Sequence, residues 1–229
     1  MRPSAQDLSF FYASPLGRYV ATEVSDLLKK WLSDLTLGKS IIGLGYASPY
    51  WEILHSCSDR KVLLMIPPPQ GAEPGACLVH EEMLPLADNS CEAVFLMHCL
   101  EFALDTKSVL RDVWRVLVPG GYILIIVPNI YGLWAHFDVT PFSLGQAFSE
   151  SNMRHMLEDS GFSLKDCTSL LSIPWLSAKN FLHRHSMGAF TPTRIFPGLL
   201  AVRCVKSIYC SILSRPSEDV KECQEISVV

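Results

Sequence analysis

Hydrophobic residues recur along the chain in two alternating patterns, one typical of amphipathic helices and one typical of buried strands. In residues 16–36, apolar side chains stand three or four positions apart, which predicts a helix. The next apolar run, SIIGL at 40–44, is continuous, which predicts a short buried strand. Gly45 then permits a tight turn, and Ser48-Pro49 predicts a helix start with serine as the N-cap. Strand, glycine turn and helix together predict the first unit of an α/β fold.

The same alternation continues through the rest of the chain. Continuous apolar segments predict strands at 61–67, 76–79, 93–97 and 122–128, and helical spacing returns at 106–117 and 150–160. Pro119-Gly120-Gly121 is expected to separate the first of these helices from the strand that follows it. A strand-like stretch near 163–173, a pair of apolar segments around 190–213 and a polar tail at 214–229 complete the chain. Buried strands that alternate with helices predict a parallel sheet covered on both faces.

Composition excludes several classes of function. The 229 residues are 49% hydrophobic and 18% charged, which supports a large core, and the net charge of -4 provides no basic field for nucleic acid. The eight cysteines form no C-x-x-C pair, a pattern typical of reduced thiols in a cytoplasmic protein. No stretch of the sequence has the uncharged apolar length of a membrane span. The histidines of His183-Arg184-His185 are interpreted as part of a loop, so no metal site is predicted.

Four stretches, in order, resemble the motifs of the class I S-adenosylmethionine-dependent methyltransferases, in particular the small bacterial type. They are GLGYA at 43–47, LPLADNSCEAV at 84–94, HCLEF at 98–102 and RVLVPGG at 115–121. A wider likeness, from FYASPLGRYV to VPNIYGLWAHFDVTPFSLGQAFS, is to a branch of that family found in alphaproteobacteria. The resemblance implies a Rossmann-like α/β fold with a mostly parallel seven-stranded sheet, and S-adenosylmethionine as the cofactor.

The resemblance divides the chain into a single methyltransferase-like domain, 1–213, and a polar tail, 214–229. Within that domain it implies an N-terminal helical or lid segment at 1–38 and a cofactor-binding core at 39–129. Residues 130–213 would then supply the acceptor side and the final strands.

Ligands of open α/β sheets bind outside the carboxyl ends of the strands, and the resemblance implies which residues would meet the cofactor there. Gly43 and Gly45 would allow close backbone approach, while Glu81 would accept from the adenine amine. The full cofactor set is Gly43, Gly45, Tyr46, Ala47, Pro67, Gln70, Glu81, Met83, Leu84 and His98. The family usually ends its second strand with a carboxylate for the ribose hydroxyls, whereas this chain has Pro67-Pro68-Pro69-Gln70. Gln70 is the candidate to bond the ribose instead.

Candidate groups for catalysis and for the methyl acceptor lie around the end of the fourth strand. His98 would contact the acceptor or act as a base, and Glu101 would orient it or bond the cofactor. The acceptor side would include Tyr131, Trp134, His136 and Tyr12. Each of these side chains has a structural alternative: a histidine bonded to backbone, a helix-capping glutamate, or packed aromatic residues.

The leading hypothesis is therefore methyl transfer from S-adenosylmethionine to a small-molecule or protein acceptor. Its rival is a non-catalytic scaffold or binding module with the same fold, motivated by the missing ribose carboxylate and by Ala47 in place of a third glycine. A nicotinamide-dependent oxidoreductase is a third alternative, because G-x-G-x-A also opens such folds. Peripheral membrane contact through the apolar segment 195–213, which carries two basic residues, is a fourth.

Overall fold

The structure is a computed structural model that describes residues 2–33, 40–56, 61–71, 73–132, 140–172 and 197–208. Within these ranges the helices are α1 (Ala5–Ala13), α2 (Pro15–Ser33), α3 (Trp51–Ser56), α4 (Thr106–Val116) and α5 (Glu150–Asp159). The strands are β1 (Ser40–Gly45), β2 (Lys61–Ile66), β3 (Ala76–Leu78), β4 (Cys91–Met97), β5 (Leu117–Pro128), β6 (Phe162–Ser172) and β7 (Pro197–Lys206). No helix in the described ranges has the length and apolarity needed to cross a bilayer.

The described strands form one seven-stranded sheet in the order β3-β2-β1-β4-β5-β7-β6. The first five of these positions are parallel, whereas β7 runs antiparallel to both β5 and β6. The mostly parallel seven-stranded sheet implied by the resemblance is therefore confirmed. The direction of strand addition reverses between β1 and β4, and the carboxyl ends beside such a reversal are where open α/β sheets bind ligands.

Each face of the sheet has its own hydrophobic core. Neighbouring residues of β1 point to opposite sides, so Ile41 packs in one core and Ile42 in the other. The first core includes the apolar faces of α1, α2 and α3, and the second includes those of α4 and α5. This two-faced burial explains why the strands are continuously apolar, as the sequence pattern predicted.

The turn after β1 differs from the prediction. The chain passes through a 3₁₀ turn, Ser48–Tyr50, before α3, and Ala47 precedes that turn without any side-chain cap. The prediction that Ser48 is an N-cap is therefore wrong. Its hydroxyl donates instead to the carboxylate of Glu73, a charged acceptor in the loop after β2.

The crossover from α4 into β5 also differs from the prediction. The helix ends at Val116 and β5 begins immediately at Leu117, so Pro119-Gly120-Gly121 lies inside the strand rather than before it. Cys91 pairs with Leu117 and Ala93 with Tyr122, so the extra residues of β5 form an irregularity in the ladder. The backbone of Gly120, at φ +74°, adopts the left-handed conformation that such an irregularity needs.

Two further predicted elements fall partly outside the described residues. The first long helix ends at Ser33, and positions 34–36 of its predicted span are not described. Of the apolar segments around 190–213, the described part forms a single strand, β7, which pairs with both β5 and β6. The apolar segment considered for membrane contact is therefore, in its described part, an interior strand of the sheet.

Candidate active site

The two glycines of GLGYA bring the turn after β1 into close contact with its neighbours. A Cβ atom at Gly45 would come within 3.0 Å of the Met97 carbonyl oxygen, and its φ of +87° also favours glycine. The Tyr46 amide donates to that same carbonyl oxygen at 2.7 Å. At Gly43 a Cβ would lie 2.7 Å from the Cβ of Ala47 and 2.9 Å from the side chain of Leu64. These residues therefore hold the end of β1 directly beside the end of β4.

Helix α1 lies over this junction. Its start is fixed by a capping box, in which Ser4 and Asp7 each bond the other's backbone amide. Tyr12, near its end, is buried, stacks on Tyr46 with ring centroids 5.8 Å apart, and bonds His98 Nε2 through its hydroxyl at 3.0 Å. Tyr12, proposed from the sequence as a site residue, thus contacts two other predicted site residues.

His98 is enclosed on every side. It follows β4 directly with a left-handed φ of +52°, has no exposed surface, and stacks on Phe142 at 4.7 Å between ring centroids. Burial, together with Tyr50 and Glu101 nearby, raises the pKa of Tyr12 well above its ordinary value. The Tyr12 phenol therefore stays protonated, and because its hydroxyl occupies Nε2, the other ring nitrogen, Nδ1, is the one that faces Glu101.

Several buried polar atoms next to His98 have no hydrogen-bond partner. Gln70 is fully buried and donates its amide to the His98 carbonyl oxygen at 2.9 Å, while its own Oε1 has no partner. The Glu101 side chain has no exposed surface, and its Oε1 lies 3.3 Å from His98 Nδ1 without hydrogen-bond alignment. His98 Nδ1 and both Glu101 carboxylate oxygens thus remain unsatisfied, which is rare for buried polar groups.

A cavity of about 630 Å³ opens beside this cluster. Its walls come from the segments that follow three strands of the sheet, 67–69 after β2, 80–82 after β3 and 101–104 after β4, together with 144–146 and Arg2. Pro67, Glu81 and Glu101, all predicted site residues, are therefore brought to one place. The volume lies in the usual range for small-molecule sites, about 300–1,000 Å³.

Arg2 enters the cavity wall and pairs with Glu81. Its Nη2 donates to both Glu81 oxygens at 2.8 and 2.7 Å and to the Cys99 carbonyl oxygen at 3.3 Å. The Glu81 carboxylate was assigned from the sequence to the adenine amine. In the structure it already accepts hydrogen bonds from Arg2, a cation of its own chain. Burial and the nearby Glu81 raise the pKa of the Cys99 thiol well above its ordinary value, which makes that thiol unreactive. No periodicity or motif in the sequence points to Arg2.

The remaining predicted site residues that the structure describes lie away from the cavity wall. Leu84 is buried in the second core, where it packs as a core residue. Met83 is 71% exposed and Tyr131 is 69% exposed, and neither contributes to the wall. Trp134 and His136 lie outside the described residues, as do His183, Arg184 and His185. Among the described residues, no group of histidine, cysteine and acidic side chains is arranged to hold a metal ion.

The residues at this edge fit part of a large, hydrogen-bonding cofactor. The loops after three strands contribute to the cavity wall, and this wall contains carboxylates that accept hydrogen bonds from hydroxyl or amine groups. Beside it, the unsatisfied oxygens of Gln70 and Glu101 require donors that the described residues do not supply. Directly beyond β1, in contrast, the space is filled by Tyr12, Tyr46 and Tyr50.

Comparison with known proteins agrees with the fold and the motif order. Residues 70–125 match the model of a methyltransferase domain family. A malonyl-[acyl-carrier protein] O-methyltransferase of Marinomonas sp. (strain MWYL1) is 32% identical over 63 residues, which cover 25% of this chain and 23% of that protein. The chain thus matches about a quarter of the length of its curated relative.

Solved structures resemble most of the chain. A Haloferax volcanii protein complex that contains a methyltransferase activator matches with a TM-score of 0.60 at 18% identity, covering 86% of this chain and 96% of the other. Geranyl diphosphate methyltransferase in complex with its substrate and sinefungin matches with a TM-score of 0.62 at 12% identity, covering 81% and 77%. At these identities the likeness shows the fold. The chain therefore has the fold of these solved structures, and within it residues 70–125 resemble a methyltransferase domain.

Proposed function

We propose that the protein transfers a methyl group from S-adenosylmethionine to a small-molecule or protein acceptor. The observation that carries this proposal is the cavity at the carboxyl ends of β2, β3 and β4, flanked by buried polar atoms that lack partners. Enclosed polar groups without partners are costly, so they are retained where a bound molecule completes them.

The residues proposed to hold the cofactor are those already assigned from the sequence that lie at or beside this cavity. Pro67 and Glu81 belong to its wall, Gln70 lies beneath it, and Gly43 to Ala47 shape the turn beside it. Arg2 joins this set from the structure, and Glu101, expected from the sequence to orient His98 or bond the cofactor, is included because it borders the cavity. Met83 remains a proposed contact of the adenine ring, whereas buried Leu84 supports the loop from below.

The bound cofactor would supply an electrophilic methyl group, so the chain's own task is to position the acceptor and exclude water. We propose that Glu101 faces the ligand and that His98 positions it, because Tyr12 already occupies His98 Nε2. A role for His98 as a base would require α1 to move away. Tyr131, Trp134 and His136 are proposed to contribute to the acceptor side.

The setting proposed for this reaction is the reducing cytoplasm of a bacterium, with residues 1–213 acting as one domain. The support is that all five cysteines within the described residues are free: Cys77, Cys91, Cys99, Cys167 and Cys204. A protein partner is also proposed, since one structural neighbour was solved in complex with a methyltransferase activator.

A calorimetric titration of the purified protein with S-adenosylmethionine, and in parallel with S-adenosylhomocysteine, tests the proposal. We expect saturable binding of both, because they share the adenosine and amino-acid parts that the cavity and the buried cluster would receive. Reduced nicotinamide dinucleotide is the matched control ligand and is expected not to bind. Absence of binding of either adenosyl compound by folded protein would overturn the proposal and favour a non-catalytic scaffold.

A further inference from the structure

The loop between β3 and β4, residues 79–89, carries part of the cavity wall. Positions 80–82 belong to that wall. The loop is tied by backbone hydrogen bonds at its two ends, from the Val79 amide to β2 and from the Asn89 amide to α4. The other backbone bonds described for it span only two or three residues within the loop. The middle of the loop is fixed instead by two side chains of α4.

Asp112 and Arg115, one turn apart on α4, bond this loop at several points. The Leu84 amide donates to Asp112 Oδ2 at 2.5 Å, and Arg115 Nη2 donates to the Leu84 carbonyl oxygen at 2.9 Å. Arg115 Nη1 donates to the Leu86 carbonyl oxygen at 2.7 Å and to the Asp88 carboxylate at 2.8 Å. Arg115 Nε donates to Asp112 Oδ1 at 2.6 Å, so the two helix side chains also hold each other. Both polar groups of the Leu84 backbone are thus fixed to α4.

The planar guanidinium allows one side chain to make all of these contacts. Arginine presents its N–H donors in a rigid fork, whereas lysine offers a single point charge on a flexible stem. In this chain the fork of Arg115 bonds two carboxylates and two backbone carbonyl oxygens. Arg115 and Asp112 are not among the described residues of the cavity wall, and the loop that they hold enters that wall two positions before Leu84. They therefore act on the wall through the loop.

We propose that Arg115 and Asp112 are positioning residues for the cofactor cavity, which hold wall residues 80–82 in place through the backbone of Leu84 and Leu86. This inference rests on the proposed function and adds residues outside the set assigned to the cofactor. A wall segment that leaves its place for part of the time raises the Kd in proportion to the lost fraction of binding-competent protein. Ligand affinity is thereby linked to α4, a helix none of whose residues lines the described cavity.

The test measures binding of S-adenosylhomocysteine by calorimetry to wild type, Arg115→Met and Arg115→Lys. Methionine keeps most of the aliphatic stem and removes every donor, so we expect the Kd to rise about tenfold. Lysine keeps a cation that can bond only part of the set, so the rise should be about threefold. Arg154→Met makes the same substitution on α5, where it removes an exposed ion pair with Glu150, and should leave the Kd unchanged.

Two further measurements separate positioning from a general loss of stability. Ile123→Val, a substitution in the second core, should lower the Tm by a few degrees without changing the Kd. Hydrogen exchange of the Leu84 amide should become about tenfold faster in Arg115→Met, because its segment is released from α4, while the amides of α5 keep their rates.

An unchanged Kd in Arg115→Met, or a rise in Kd that Ile123→Val reproduces, would overturn the positioning role while leaving the proposed function intact. A lysine variant that binds no better than the methionine variant would also count against it, since the retained cation then holds nothing. Failure of wild type to bind would overturn both this inference and the proposed function. If Arg115→Met does not fold, the Kd of Arg115→Lys and the exchange of its Leu84 amide decide the same question.

Discussion

At the end of β1, the backbone conformation and the close packing require a residue without a side chain. Gly45 combines a left-handed φ with close approach to the backbone of β4, so two separate constraints exclude larger residues there. Gly71 has a similar φ of +95°, but among the described residues no heavy atom lies within 4 Å of a Cβ added to it. A comparison of substitutions at Gly45 and Gly71 therefore separates the cost of backbone strain from the cost of crowding.

Gly45→Ala is expected to destabilise the protein by about 3 kcal/mol or more, through left-handed strain of about 1–2 kcal/mol and overpacking of about 1–3 kcal/mol. Gly71→Ala should cost only the strain, about 1 kcal/mol. Urea unfolding of both variants measures the difference. If only Gly71→Ala can be recovered as folded protein, the result agrees with this order. If both variants lose the same free energy of unfolding, the close contact with Met97 does not add to the cost at Gly45.

Residue-level chemistry was only partly predictable from the sequence. Gly43, Gly45 and His98 could be assigned because motifs at fixed spacing mark the ends of β1 and β4. The contacts of Tyr12 with His98 and of Arg2 with Glu81 join residues 86 and 79 positions apart, and no local pattern encodes such pairs. Gln70 is the predicted ribose contact in place of the missing carboxylate. Its amide nitrogen donates to the His98 carbonyl oxygen, whereas its Oε1 has no partner among the described residues.

Among the secondary-structure elements, α1 connects local sequence signals to the site. Its capping box is a short-range feature, because Ser4 and Asp7 bond each other within one turn of the helix. Tyr12, on the buried face of the same helix, makes a long-range contact with His98. The sequence predicted a segment over the cofactor only through the family resemblance. Strands were easier to predict because burial on both faces makes them continuously apolar. The ends of β1 to β4 shifted by only one or two residues, whereas β5 begins five residues before its predicted start.

Ser4→Ala is expected to loosen α1 selectively, because loss of an N-cap costs about 1 kcal/mol and the cost falls on the helix that it caps. Hydrogen exchange of α1 amides should become about fivefold faster, while those of α5 should not change. Ser149→Ala removes the N-cap of α5 and is the matched control, expected to give the reverse pattern. Exchange that rises equally throughout the protein in Ser4→Ala would contradict a local role.

For the whole molecule, the cavity lies at the carboxyl ends of β2, β3 and β4, beside the junction of β1 and β4 at the centre of the sheet, so ligand binding and global stability should be linked. Both cores converge on these two strands, with Phe95 in one core and Leu96 in the other. A ligand that bridges the ends of β2, β3 and β4 binds the folded chain only.

S-adenosylhomocysteine at about 100 times its Kd should therefore add about 2.7 kcal/mol to the free energy of unfolding. For a chain of this size that corresponds to a rise in Tm of about 5–10 °C. A thermal melt at increasing ligand concentration measures it, with L-methionine as the control ligand. A melting temperature that does not depend on ligand concentration would exclude binding linked to folding.

The strand order has a consequence for synthesis of the chain. Because β7 lies between β5 and β6, neither of those earlier strands can complete its pairing until the last strand has left the ribosome. A nascent chain that ends before Pro197 carries β5 as an open apolar edge, with Ile123, Ile125 and Val127 among its residues. Such edges recruit other strands, so the interval before β7 emerges is when this chain depends most on chaperones.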